Sequence, residues 1–149
     1  MTQRIDQTFA KRKAAGQAAF VAYMMAGDPD RAVSQAFLNA MPEAGVDIIE
    51  LGIPFTDPMA DGPVIEDAGI RSRKSGTTLS TVLEMSSEFR KSNDTTPIIV
   101  MGYANPLHHM GYTAFAAAAK AAGVAGAIIV DLPPEEDSKL REALAVHDL

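Results

Sequence analysis

Three carboxylates, Glu50, Asp57 and Asp61, crowd the run Glu50-Leu51-Gly52-Ile53-Pro54-Phe55-Thr56-Asp57-Pro58-Met59-Ala60-Asp61-Gly62-Pro63. Glu50 closes the apolar stretch Val46-Asp47-Ile48-Ile49-Glu50-Leu51, where alternation puts it on the same side as Ile48 and opposite Ile49 and Leu51. A carboxylate among apolar neighbours suits general acid/base work, because one group can then both give and take a proton near neutral pH. A solvated or ion-paired strand-end carboxylate is the plainer reading, and the residues alone leave both open. Pro54, Pro58, Gly62 and Pro63 stiffen the backbone that carries the two aspartates. Asp57 reads first as a turn or cap residue, and Asp61 equally as a turn residue or a functional acid.

Other chemistries fit less well. Asp57, Asp61 and Gly62 fall at positions one, five and six of a calcium loop, but Met59 and Ala68 occupy positions three and twelve, where oxygen ligands are required. Neither G-x-G-x-x-G nor G-x-x-x-x-G-K-[ST] occurs, and G-x-S-x-G is absent as well. His108 and His109 are adjacent, so on a helix they diverge by about 100° and do not share a metal. With no cysteine there is no thiolate zinc site and no Cys nucleophile. No metal site is expected. Met24, Met25 and Met101 lie inside apolar strands and read as core or pocket lining.

The elements that must position these acids alternate regularly. Apolar runs at Ala18–Met25, Val46–Leu51, Pro97–Met101 and Val124–Val130 read as strands buried on both faces. Helical patterns are expected from Asp30 to Gly45, over Val64–Lys74 and Leu79–Lys91, and over Met110–Ala122, with a last helix opening at Asp131-Leu132-Pro133-Pro134. Four β-α units in a row mean a parallel sheet covered by helices, either doubly wound or barrel. The echo of Ala44-Gly45-Val46 in Ala122-Gly123-Val124 favours the barrel. Active sites of both architectures sit at the carboxyl ends of the strands, which is where Glu50 and its loop fall. A complete barrel takes about 250 residues, so residues 1–149 are expected to form one domain, the N-terminal half of a (β/α)8 TIM barrel, incomplete at its C-terminus. Two open strand edges should then be met by self-association or by a second half, unless the sequence is a truncated one.

The 149 residues carry 13 Lys+Arg against 19 Asp+Glu, a net charge of -6, with no basic cluster longer than Lys11-Arg12-Lys13, so nucleic acid is not an expected partner. The longest strongly apolar run, Ala18–Ala26, is far short of the roughly 20 residues a membrane span needs. Residues Met1–Arg12 hold no apolar signal core, and a cytoplasmic location is expected.

At Glu50–Pro63 the sequence closely resembles the tryptophan synthase alpha chain family, whose signature here is E-L-G-x-P-F-S-D-P-x-A-D-G-P. Ala26-Gly27-Asp28-Pro29, Met101-Gly102-Tyr103-Ala104-Asn105-Pro106 and Val130-Asp131-Leu132-Pro133-Pro134-Glu135-Glu136 also look like family elements, and the resemblance covers essentially the whole chain. It implies a (β/α)8 barrel and the reversible retro-aldol cleavage of indole-3-glycerol phosphate to indole and glyceraldehyde 3-phosphate, in tryptophan biosynthesis. By that resemblance Glu50 is the acid/base carboxylate and Asp61 the carboxylate that binds the indole N–H. Tyr23, Met101, Tyr103, Ile128 and Val130 match the apolar indole pocket. No cofactor is implied for this chain. The partner implied is a PLP-containing beta chain in an alpha2-beta2 complex, with Pro54, Asp57 and Asn105 matching contact positions. Thr56, Glu66, Arg73 and Ala104 depart from the family pattern without removing a catalytic group. The family's phosphate-binding loops belong to the second half of the barrel, so this stretch is expected to be inactive alone. A non-catalytic module that docks on the beta chain is the alternative.

Overall fold

The computed structural model describes residues 3–149. In chain order the elements are α1 (Gln3–Ala14), β1 (Val21–Met25), α2 (Arg31–Ala40), β2 (Ile48–Gly52), α3 (Pro63–Lys74), α4 (Leu79–Arg90), β3 (Ile98–Gly102), α5 (Ala104–Met110), α6 (Tyr112–Ala121), β4 (Gly126–Ile129) and α7 (Ser138–Ala145). The strands form one parallel sheet in sequence order, β1-β2-β3-β4.

Local chemistry sets the helix starts. Asp30 accepts a hydrogen bond from the Val33 amide at the head of α2, and Thr78 accepts one from the Thr81 amide at the head of α4. Pro63 opens α3, where its fixed φ and missing N–H cost nothing.

Alternation along the strands divides the sheet into two unlike faces. Met24, Ile49, Leu51, Ile98 and Val100 point to the helices and join Leu38, Val82, Met85, Phe89, Leu107 and Phe115 in one buried core. On the other face the register lays Tyr23, Glu50, Ile99 and Gly126 side by side, followed by Met25, Gly52, Met101 and Ile128. The expectation that every strand is buried on both faces is therefore corrected. Val21 on β1 is 41% exposed and Ile128 on β4 is 38% exposed.

Helix α1 lies at the N-terminal ends of the strands. Arg4 Nε donates to the Asp94 carbonyl, Arg12 Nε donates to Asp47 Oδ1, and Ile5 Cδ1 lies 3.9 Å from where a Cβ on Gly126 would stand. Two other elements differ from expectation. The helix expected over Met110–Ala122 is α6, Tyr112–Ala121, but a further helix, α5, precedes it, parted from it by Gly111 at φ +87°, a left-handed conformation glycine adopts freely. The last helix begins at Ser138 rather than at Asp131, after a turn closed by Glu136 N–H to the Pro133 carbonyl. Among the described residues no helix is long and apolar enough to cross a membrane.

Candidate active site

Strand β2 continues its ladder past its end, with Ile53 N–H donating to the Met101 carbonyl at 2.7 Å. Gly102 makes room for this, since a Cβ there would meet Ile53 Cβ at 3.0 Å. Ile53 and Pro54 are buried, and the chain then rises so that Phe55 stacks on Tyr103 with ring centroids 5.4 Å apart. Two short backbone bonds, Met59 N–H to the Asp57 carbonyl and Asp61 N–H to the Pro58 carbonyl, fold the proline-stiffened loop over. Asp57 is exposed at its crest, holding the Thr56 hydroxyl at 2.5 Å. Asp61 is half-buried on the return.

The loop aims Asp61 at Tyr103. The Tyr103 hydroxyl donates to Asp61 Oδ1 at 2.9 Å and accepts from the Ala60 N–H at 3.0 Å. Burial raises the Tyr103 phenol above its ordinary range, and the bond to Asp61 adds to that. Tyr23 stands beside Glu50 in the sheet register, with its hydroxyl over Gly52, where a Cβ would come within 2.2 Å of it. Glycine at 52 is thus what lets the phenol lie across β2. The Tyr23 phenol is also pushed up, first by burial and then by the nearby Asp61, Tyr103 and Glu50. Both phenols are protonated at neutral pH and act as donors.

Among the described residues Glu50, Asp57 and Asp61 make no ion pair. Nor do any three His, Cys, Asp or Glu side chains among them come close enough to hold a metal. The site is two carboxylates, Glu50 on the strand and Asp61 on the loop, with neutral phenols beside them. Such a set can move protons and hold a cationic or N–H-bearing ring.

The other expected pocket residues fall where the alternation puts them. Met101 and Ile128 pair across β3 and β4 on the Glu50 face, and Val130 follows β4 with its N–H on the Gly102 carbonyl at 2.9 Å. Of the three residues matched to a partner contact, Asp57 and Asn105 are exposed, whereas Pro54 is buried beneath the loop. His108 and His109 are both exposed on α5.

Sequence reading missed the polar groups that hold the neighbouring loops. After β1, Gly27 sits at φ +74°, its N–H donates to Ser34 Oγ at 2.8 Å, and its carbonyl accepts from Ser75 Oγ at 3.0 Å. Ser72 Oγ donates to the Ala26 carbonyl at 2.5 Å, and Arg71 grips Asp28 through Nε and Nη2 at 2.6 and 2.8 Å. After β4, Asp131 Oδ1 accepts from the Ala104 N–H at 2.8 Å. These partners lie 7 to 48 residues apart in sequence, and no local pattern marks them.

Comparison with known proteins gives one answer. The family described as tryptophan synthase alpha chain matches residues 9–149. Tryptophan synthase subunit alpha from Legionella pneumophila is 42% identical, with a TM-score of 0.97 over 100% of this chain and 57% of its own length. A protein from Aquifex aeolicus is 37% identical, with a TM-score of 0.93 over 99% of this chain and 58% of its own. Ligand-free tryptophan synthase from M. tuberculosis is 34% identical, with a TM-score of 0.94 over 99% of this chain and 59% of its own. The chain spans a little over half the length of these relatives, and its four β-α units match the N-terminal half of the TIM barrel.

Proposed function

Because the chain belongs to the tryptophan synthase alpha chain family, we propose that it supplies the acid/base half of a barrel that cleaves indole-3-glycerol phosphate to indole and glyceraldehyde 3-phosphate. The observation that carries this reading is that Glu50, beside Tyr23 in the sheet register, and Asp61, bonded to the Tyr103 hydroxyl, both lie at the carboxyl end of β2 with no ion pair among the described residues.

Cleavage of the bond between indole C3 and the glycerol carbon needs a proton on C3 and removal of the proton from the hydroxyl on that carbon. Glu50 gives the first and takes the second, ending in its starting state. Protonation at C3 leaves a positive indolenine nitrogen, which the Asp61 carboxylate holds through the N–H. As the bond breaks, its electron pair returns to the ring, giving neutral indole, while the deprotonated hydroxyl becomes the aldehyde. Tyr23, Met101, Ile128 and Val130 offer the apolar walls an indole ring requires. The chemistry asks for no cofactor on this chain. The phosphate would be gripped outside these residues. The partner in this reading is the PLP-containing beta chain, met at Asp57 and Asn105 on the exposed rim of the same end.

The test is indole release from indole-3-glycerol phosphate by this chain completed with the C-terminal half of a relative, against the same protein carrying Glu50→Gln. Release by the first and loss of it in the second are expected; equal rates overturn the acid/base assignment. A second reading, docking on the beta chain without catalysis, is favoured by Met59, 83% exposed on the loop crest. A complex between the beta chain and residues 1–149 that forms without any indole release supports it.

A further inference from the structure

One group near the site has no role in the proton transfers above. Asp131, in the loop after β4, reaches across to β3 and accepts the first amide of α5, Ala104 N–H, at 2.8 Å. Residue 104 follows Tyr103 directly, and Tyr103 is held three further ways: its ring stacks on Phe55, its hydroxyl accepts the Ala60 N–H, and that hydroxyl donates to Asp61 Oδ1. Only 2% of Tyr103 is exposed, so the ring has little freedom to swing. The loop after β2 therefore holds the Tyr103 side chain and the loop after β4 holds the backbone next to it, and the single hydroxyl proton is committed to one oxygen of Asp61. Among the described residues Asp61 Oδ2 accepts no hydrogen bond, which leaves that oxygen to a ligand N–H.

We propose that Tyr103 and Asp131 are positioning residues that set the direction of the Asp61 carboxylate: Tyr103 pins Oδ1 so that Oδ2 faces the ligand, and Asp131 fixes the backbone from which Tyr103 projects. This rests on the reading of Asp61 as the acceptor of a ring N–H. A carboxylate free to rotate would meet a ring N–H at many angles, whereas one pinned at Oδ1 presents a single lone-pair direction before the ligand arrives. Tyr103 is suited to that task because burial and the negative charge of Asp61 keep its phenol protonated, so the hydrogen bond runs in one sense only. Asp131 acts at one remove. It supplies a side-chain acceptor at the head of α5, where the first amides have no partner within the helix.

The experiment is a double-mutant cycle on the chain completed with a relative's C-terminal half, read as kcat and KM for indole release. Tyr103→Phe removes one oxygen and leaves the stacked ring. It is expected to lower kcat about 10-fold with a small change in KM, and to change kcat less than about 2-fold in an Asp61→Asn background. Asp131→Ala is expected to lower kcat in the same sense, and Asp131→Asn, which keeps the accepting oxygen, to recover most of that loss. Equal effects of Tyr103→Phe with and without the Asp61 carboxylate overturn the proposal, because they mean the hydroxyl matters only to packing. A second measurement separates this from the fate of the proposed function. In the parent, the Ala60 amide nitrogen shift is expected to respond to Asp61→Asn through the shared hydroxyl, and in Tyr103→Phe to lose that response. An unresponsive Ala60 amide in the parent overturns the positioning, whereas a parent that releases no indole yet keeps the response removes the reaction and leaves the geometry standing.

Discussion

At the N-terminal ends of the strands charge is tied down, whereas on the loop that follows β2 it is left unpaired among the described residues. Arg12 Nε meets Asp47 Oδ1 at 2.6 Å, and the other oxygen of Asp47 accepts the Phe20 N–H at 2.8 Å. Arg4 Nε donates to the Asp94 carbonyl at 2.6 Å. Arg90 donates to three carbonyls, Gly123 at 2.9 Å, Asn93 at 3.1 Å and Thr96 at 2.7 Å, and so laces the end of α4 to the turns before β3 and β4. At the opposite end Glu50, Asp57 and Asp61 have no cation among the described residues, and the hydrogen bonds made to the aspartate carboxylates come from neutral hydroxyls. The lesson is a division of labour within one sheet. Cations at one end close backbone that would otherwise be open, and Glu50, Asp57 and Asp61 at the other stay available because no cation among the described residues pairs with them, the one carboxylate tied there after β1 being Asp28, held by Arg71.

The sharpest way to break this comparison is to alter one charge at each end and read both activity and stability. Glu50→Gln in the completed chain is expected to cut indole release by about 10² to 10⁴-fold, the usual range for a general acid/base. Its urea midpoint should stay close to the parent's. Arg90→Met is expected to do the reverse, costing about 3 kcal/mol of stability as three carbonyls lose a charged donor, with kcat of the folded protein unchanged. Burial lowers the Arg90 guanidinium to about 10, still charged throughout the neutral range, so this loss should not vary between pH 6 and 8. If Arg90→Met alters kcat instead, the two ends are not separable.

A second test stays at the carboxyl ends but touches only backbone. Gly27→Ala forces φ +74° on a residue with a Cβ, and places that Cβ 1.8 Å from Thr77 Oγ1 in a buried corner. About 2 to 3 kcal/mol of destabilisation is expected by urea unfolding. Because the Gly27 loop hangs on Ser34, Ser72, Ser75 and the Arg71–Asp28 pair rather than on Glu50 or Asp61, Gly52→Ala is the matched contrast. There the added Cβ must displace the Tyr23 ring, so KM for the substrate should rise more than stability falls.

The same division explains what could be read in the sequence. The four strands were legible to within about three residues because each is an apolar run between turn formers, as at Pro97–Met101 against the observed Ile98–Gly102. Glu50 and Asp61 were legible because they follow such a run and sit on a proline-stiffened loop. Helix α1 was not, since Gln3–Ala14 has no buried residue; its place is set by Arg4 and Arg12 reaching carbonyl and carboxylate groups far away in the chain. Helix α5, Ala104–Met110, was not legible either, because Asn105-Pro106 reads as a turn signal in the run just after β3. Tyr103 could be matched to a pocket position, but its bond to Asp61 spans 42 residues and the bond from Ala104 to Asp131 spans 27, so both exist only once three strands are side by side.

The smallest expected effect probes the N-terminal end by pH. The Arg12 guanidinium beside Asp47, together with the Phe20 amide, holds the Asp47 carboxyl below the ordinary carboxylate range. The folded protein therefore holds this group's proton less tightly than the unfolded chain. Its contribution is fully present above the unfolded value of about 4 and is lost as pH falls through the lower folded value. Asp47→Asn removes that contribution at neutral pH and flattens the corresponding part of the acid limb when melting temperature is followed from pH 6 downward. The pair is partly exposed, so a loss of about 1 kcal/mol or less is expected at neutral pH. Asp57→Asn, on the exposed crest at the other end, should leave the neutral-pH melting temperature within experimental scatter, because no cation there depends on it. A larger loss from Asp57→Asn than from Asp47→Asn would reverse the assignment of which end uses charge to hold the fold.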